Sequence, residues 1–204
     1  NIETLKRLQG DLENGIAFRD RELDPSETKA VSDTFTLSSL PLLVALNIGE
    51  DDIANTAELE QQIDSLLDGK STGGAAICGS LEAELVGMDE AEEVEMRAGL
   101  DAGKPGLSRM IKLSYRVLGL NSFLTVGEDE TRAWTVNIGA LAPKAAGVIH
   151  SDIERGFIRA ETVAYADFID CGTMAEARNR GQFRQEGRDY VVQDGDIINF
   201  LFSV

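Results

Sequence analysis

Histidine is nearly missing from this sequence, with His150 the sole example, and cysteine is limited to Cys78 and Cys171, which stand far apart with no CxxC pairing. A disulfide framework or a zinc site needs more than that, so neither is expected, and the sparse cysteine fits a reducing cytoplasm. No apolar run approaches the ~20 residues that span a bilayer, and no stretch reads as a signal peptide, so no membrane partner is expected. Positive charge is scarce too: 19 Lys and Arg face 36 Asp and Glu, a formal charge of -17. That excess repels a polyphosphate at long range, so any nucleic-acid contact must be local, and no DNA specificity is evident. Residues 121–204 hold 13 acids and 8 bases, which leaves 23 and 11 for residues 1–120. The acidic excess therefore lies mainly in the first part, and the second is freer to carry a basic patch.

What is present reads as folded protein. The 204 residues are 43% hydrophobic and 27% charged, enough for more than one core, and two units are a sensible starting point. The chain starts at Asn1 without methionine, inside a helical pattern, so an upstream portion is expected. Ile2, Leu5, Leu8, Leu12 and Ile16 recur at spacings of three and four, which predicts an amphipathic helix over 2–23. Asp24-Pro25-Ser26-Glu27 then supplies a capping oxygen, a proline at the first helical position and a glutamate at the third, so a second helix starts there. Residues 1–38 read as a helical, coiled-coil-like arm.

The run Leu40-Pro41-Leu42-Leu43-Val44-Ala45-Leu46 is continuously apolar and stops at Asn47-Ile48-Gly49-Glu50, the signature of a strand buried on both faces. Thr56 can cap a following helix with Leu59, Ile63, Leu66 and Leu67 as its buried stripe. Gly73–Cys78 reads as a second strand, and Ser80 can cap a helix through Leu85. Strand, helix, strand, helix predicts a parallel crossover, too small to be a complete doubly wound domain. An acidic helix over 89–100 and another over 106–118, with Leu107, Met110, Ile111, Ser114 and Leu118 along one face, complete residues 39–119.

After Gly119 the texture changes. Strand-like runs lie at 123–126, 133–136, 157–163, 190–192 and 197–202, with one helix, 144–151, between the second and third. That order predicts a mixed sheet with a helix on one face, the α+β arrangement of the β-grasp class, over residues 120–204. The fold class expected for the whole is thus α/β followed by α+β.

Ligands of open α/β sheets lie at the carboxyl ends of the strands, which makes Asn47 a candidate: its carboxamide offers a donor and an acceptor on a short stem. Guanine-specific proteins carry Asn-Lys-x-Asp at such a strand end, whereas Asn47-Ile48-Gly49-Glu50 has a longer acid and no lysine. This altered motif resembles the YchF branch of the Obg family of P-loop NTPases. Further similar stretches follow in the family's order: Gly106-Leu107-Ser108-Arg109, Arg132-Ala133-Trp134-Thr135, Ala145–Asp152, Gly156-Phe157-Ile158-Arg159-Ala160-Glu161 and Asp194–Phe200. The resemblance implies a partial P-loop NTPase domain, then a TGS domain of the kind shared with threonyl-tRNA synthetases and stringent-response enzymes. It implies a preference for ATP over GTP, with Asn47 and the Ile48 backbone at the base, Glu50 no longer enforcing guanine, and Gly79 and Ser80 in the last nucleotide loop. By the same resemblance the catalytic histidine lies upstream, so His150 is read as a cap or a structural hydrogen bond.

No Gly-x-x-x-x-Gly-Lys-Ser/Thr occurs in the sequence, so nothing in it can cradle phosphates or place the magnesium-binding hydroxyl. ATP or GTP and Mg2+ are accordingly expected in a full-length parent, while this chain should hydrolyse nothing and bind nucleotide feebly. Arg178, Arg180, Arg184 and Arg188 form the densest basic cluster and are the candidate RNA or ribosome contact; a solvated charged face reads the same residues equally well. The competing function is a non-catalytic adaptor acting through the TGS-like region. A ubiquitin-like carrier is set aside, because such carriers use a Gly-Gly terminus and this sequence closes Phe202-Ser203-Val204.

Overall fold

A computed structural model describes residues 2–67, 69, 71–127 and 129–203. The chain divides into two compact units, residues 1–118 and 119–204.

In the first unit α1 (Ile2–Glu13) ends ten residues before the expected limit, because Asn14-Gly15 turns the chain, Gly15 at φ 75°. The second helix, α2 (Pro25–Thr34), begins where the capping box places it: Asp24 accepts from the Ser26 and Glu27 N–H groups, and Glu27 accepts from the Asp24 N–H. Leu8, Phe18 and Val31 form the small core between these elements. Arg7 and Arg21 approach the buried Glu27, so its charge is compensated.

Strands β1 (Leu42–Asn47) and β2 (Thr72–Ile77) pair in parallel, with α3 (Thr56–Leu66) as the crossover. Helix α3 packs on β2 so closely that a Cβ on Gly74 would lie 2.1 Å from Ile63 Cγ2, which explains glycine there. From the other side, α6 (Gly106–Leu118) presses Leu113 and Val117 against Gly73. Helices α4 (Gly79–Leu85) and α5 (Glu90–Gly99) complete the unit.

Several local expectations are corrected. Strand β1 is not buried on both faces: Leu42, Leu43 and Val44 are half-buried and Ala45, Leu46 and Asn47 exposed, since β2 is its sole neighbour among the described residues. Thr56 does not cap α3; it sits one position inside and donates to the Ile53 carbonyl at 2.6 Å. Leu66 is 83% exposed. Ser80 lies inside α4, whose N-cap is Cys78 without a side-chain bond. On α6 the stripe that packs is Gly106, Leu113 and Val117, with Met110 beside it, while Leu107, Ile111 and Leu118 face outward. Helical periodicity shows that a face exists; with two apolar stripes on one helix it does not say which one the sheet takes.

The second unit is a five-stranded mixed sheet in the order β4-β3-β7-β5-β6, built from β3 (Leu120–Val126), β4 (Thr131–Asn137), β5 (Phe157–Ala164), β6 (Arg184–Glu186) and β7 (Asp196–Phe202). The outer pairs are antiparallel, and β3 and β7 run parallel at the centre. Helix α7 (Ala142–Ile149) packs on one face through Ala142, Ala145 and Ala146, whose small side chains let it approach Phe123, Phe157, Ile198 and Phe200. Phe123 and Phe200 meet edge to face, ring centroids 5.7 Å apart. His150 Nδ1 accepts from the Asp152 N–H and caps the short α8 (Ser151–Arg155), the structural role expected of it. Residues 190–192 form no strand: Val191 makes a single bridge to Leu141. Helices α9 (Tyr165–Cys171) and α10 (Met174–Asn179), and strand β6, were not anticipated.

Candidate functional site

Strands β1 and β2 finish side by side, with Asn47 opposite Ile77. The Ile48 N–H donates to the Ile77 carbonyl at 3.0 Å, carrying the pairing one step past the strand. There the Asn47 carboxamide crosses between the two loops, and its Oδ1 accepts from the Gly79 N–H at 3.1 Å. The Nδ2 group makes no hydrogen bond among the described residues. A Cβ at position 79 would sit 3.0 Å from Oδ1, so glycine leaves room for this approach. Ser80 Oγ lies 3.2 Å from Cys78 Sγ and 3.5 Å from Glu50 Oε1, the second contact being long and therefore weak.

All five residues singled out from the sequence thus gather at one edge: Asn47, Glu50, Gly79 and Ser80 are exposed, and Ile48 is half-buried. Ile48 points its side chain toward Ile53, Cys78, Leu81 and Leu85, which anchors the first loop by apolar packing. The arrangement offers an amide donor, a carboxylate acceptor and backbone groups at one strand-end edge. Such a set can read the edge of a purine, whose ring nitrogens accept and whose exocyclic amine donates.

Behind the second loop, Arg97 forks onto Glu82, Nη1 to Oε1 and Nη2 to Oε2, both at 2.9 Å. Glu82 also accepts from the Gly106 N–H at 3.0 Å, so one carboxylate ties α4 to α5 and to the start of α6. The Arg97 bonds hold the Glu82 carboxyl below the ordinary glutamate range, against burial and with help from Gly106. The same partner raises the Arg97 guanidinium still further above its already high value.

The chain is 40% identical over 205 residues to the Ribosome-binding ATPase YchF of Bacillus subtilis (strain 168), covering 100% of this chain and 56% of that protein. It is 37% identical over 203 residues to the protein of that name from Pasteurella multocida (strain Pm70), with the same coverages. Along its whole length the chain is similar to part of the YchF/Obg-like proteins. The model YchF-GTPase_C, described as a protein of unknown function (DUF933), matches residues 120–203. The solved structure of the Schizosaccharomyces pombe YchF GTPase is similar at 27% identity and a TM-score of 0.78, over 98% of this chain and 53% of the other. The chain therefore spans about half the length of the YchF relatives it matches.

The four arginines expected to contact RNA are exposed, but each has a partner in this YchF-like chain. Arg178 lies over the Phe183 ring at 4.2 Å, and Arg180 Nε donates to Glu176 at 2.7 Å. Arg188 donates to the Phe157 carbonyl at 2.9 Å. Arg184 reaches Asp196 at 3.4 Å and the Tyr190 hydroxyl at 3.2 Å. Asp196 is almost wholly buried and accepts from the Tyr190 hydroxyl at 2.6 Å and the Gln193 N–H at 2.9 Å. Burial, with the Asp196 hydrogen bond second, pushes the Tyr190 hydroxyl up to about 12. Sequence reasoning missed both this Tyr190–Asp196 lock and the Glu82–Arg97 fork; Asp194–Phe200 entered it as a stretch that carries the resemblance.

Proposed function

We propose that this chain supplies the base-holding part of a purine-nucleotide-dependent ATPase, joined to a TGS-like β-grasp unit through which the whole protein engages the ribosome. The observation that carries the reading is the Asn47–Gly79 bond: an exposed carboxamide unites the two strand-end loops and leaves its own amide donor without a hydrogen bond among the described residues. Ile48 replaces the lysine of guanine-reading sites, and Glu50 carries its carboxylate one methylene further out, so the site favours ATP over GTP. Support for the ribosome as partner comes from the relatives named Ribosome-binding ATPase YchF. The sheet order with parallel central β3 and β7 supports the β-grasp assignment, and α1 with α2 supports a helical arm.

Phosphate chemistry lies outside these residues. The sequence has no Gly-x-x-x-x-Gly-Lys-Ser/Thr: Gly69-Lys70-Ser71 has Asp64 where the leading glycine would stand. In this reading Mg2+ belongs to the rest of the parent. Base contacts alone forgo most of the binding energy of a nucleoside triphosphate, and this chain is inactive by itself. Isothermal calorimetry of the 204-residue chain with ATP should give no measurable heat at micromolar concentrations. Micromolar ATP affinity in this chain would overturn the division of labour. The parent acts in the cytoplasm, where ribosomes and ATP are both present.

A further inference from the structure

Strand β2 has β1 on one side and no strand on the other among the described residues. Ser71 and Ile77 turn their carbonyls to β1, accepting from Leu42 and Ile48. Residues of a strand alternate between its two edges, so Thr72, Gly74 and Ala76 direct their backbone N–H and C=O groups outward. A bare edge of this kind invites another strand. At Ala76 the edge is not bare. Its N–H donates to Glu60 Oε1 at 3.1 Å, and its carbonyl accepts from Arg109 Nη2 at 3.2 Å. Glu60 and Arg109 are also ion-paired with each other. Glu60 comes from α3 and Arg109 from α6, and these helices cover opposite faces, since α3 touches Gly74 and α6 touches Gly73. Two side chains closing from either face therefore complete the pair of bonds that a neighbouring strand would make. Both are about three-quarters shielded, at 29% and 24% exposure, so water competes poorly for those bonds.

The position matters because Ala76 is three residues before Gly79, whose N–H Asn47 receives. We infer that Glu60 and Arg109 are positioning residues for the second strand-end loop: standing in for an outer strand, they fix the end of β2 and thereby the Gly79 N–H. The functional meaning rests on the proposed base site, but the physical claim is tested without nucleotide, so the two can fail separately. Among the described residues neither side chain hydrogen-bonds to Asn47 or Gly79, so the expected route of any effect there is through β2.

Backbone amide exchange followed by NMR on the 15N-labelled chain reads the claim directly. In Glu60→Ala, exchange at Ala76 should rise at least tenfold and at Gly79 severalfold, while Phe123 and Val136 in the other unit stay unchanged. Glu60→Gln retains an acceptor and should restore Ala76 to within about threefold of the wild type. Arg109→Ala should leave Ala76 protected and still loosen Gly79. Unchanged Gly79 exchange in both alanine variants would overturn the positioning role, and a Gln variant as exposed at Ala76 as the Ala variant would overturn the acceptor role. Should Glu60→Ala unfold the first unit, Glu60→Gln and Arg109→Ala give the same comparison from milder changes.

Discussion

Asn47 Oδ1 and the Gly79 N–H meet at 3.1 Å across the tips of β1 and β2, although 32 positions separate the two residues. The bond is exposed, so its worth to stability is small, while its worth to the shape of the edge is large. Asn47→Ala should therefore cost no more than about 1 kcal/mol of stability, because water can replace the lost acceptor. In the full-length parent the same change should weaken ATP binding roughly ten- to hundredfold, the range expected for losing a specific base contact of 1–3 kcal/mol. Chemical denaturation of this chain and nucleotide titration of the parent measure the two effects. A stability loss without an affinity loss would make Asn47 a turn residue only.

Glu50 tests the selectivity half of the proposal. Its carboxylate is exposed and loosely held, with only the 3.5 Å approach of Ser80 among the described residues. Glu50→Asp withdraws the acid by one methylene, toward the position used to read guanine. The ratio of GTP to ATP affinity in the parent should rise, by a few-fold rather than a full switch, since Ile48 still occupies the place of the stacking lysine. Competition titration with the two nucleotides gives the ratio, and an unchanged or falling ratio counts against a base-reading Glu50.

Much of this site was legible because it is carried by local signals. The apolar run stopping at Asn47 and the Gly-rich approach to Cys78 mark two strand ends, and parallel pairing necessarily brings such ends together. The capping box at Asp24 was equally local, and so the start of α2 was placed correctly. What escaped depends on distance in the chain. Glu82 and Arg97 are 15 positions apart, Glu60 and Arg109 are 49, and no periodicity couples them. Strand β6 is three residues of Arg-Gln-Glu held by its pairing to β5, so its own sequence carries no strand signal. The stripe on α6 was misread because the helix has two apolar faces, and only the sheet decides between them.

The Glu82–Arg97 fork predicts a specific acid sensitivity in the first unit. The Arg97 side chain is 7% exposed and Glu82 28%, so removing the carboxylate strands most of a buried guanidinium. Glu82→Ala should cost about 2–3 kcal/mol, with Glu93 still compensating part of the charge. Because the Glu82 carboxyl is held below its ordinary value, its stabilisation is full above the glutamate range of an unfolded chain. It fades as pH falls through the lowered value. Urea melts of the wild type between neutrality and pH 3 should show this loss, and Glu82→Ala should flatten it; equal slopes in the two proteins would remove Glu82 as its source.

Tyr190 works in the opposite direction. Its hydroxyl donates to buried Asp196 and its pKa is pushed up to about 12, so the folded protein keeps a proton that the unfolded chain releases near 10. The stabilisation is complete below about pH 10 and is lost between there and about 12. Tyr190→Phe keeps the ring and removes the donor, leaving Asp196 to Gln193 and Arg184; the expected cost is about 1–2 kcal/mol at neutral pH. It should also remove one component of alkaline unfolding in the second unit, read by circular dichroism across that window. An alkaline limb identical to the wild type would show that another group sets it.

The arginine cluster makes the ribosome proposal testable only when its members are separated. Arg188 holds the Phe157 carbonyl and Arg184 faces buried Asp196, so alanine at either weakens the fold as well as any contact with RNA. Arg178 and Arg180 are held by a contact with the half-buried Phe183 ring and by an exposed helix ion pair, arrangements worth about 1 kcal/mol or less each. They can leave those partners for a phosphate at little cost, whereas Arg184 and Arg188 cannot. Arg178→Ala with Arg180→Ala should therefore leave the melting temperature within a degree or two while reducing co-sedimentation with ribosomes several-fold. The loss should be greatest at low salt, as for phosphate contacts. Arg188→Ala should lower the melting temperature by several degrees. Undiminished pelleting in the double variant at every salt concentration would remove this cluster from the ribosome interface, whatever the other two arginines do.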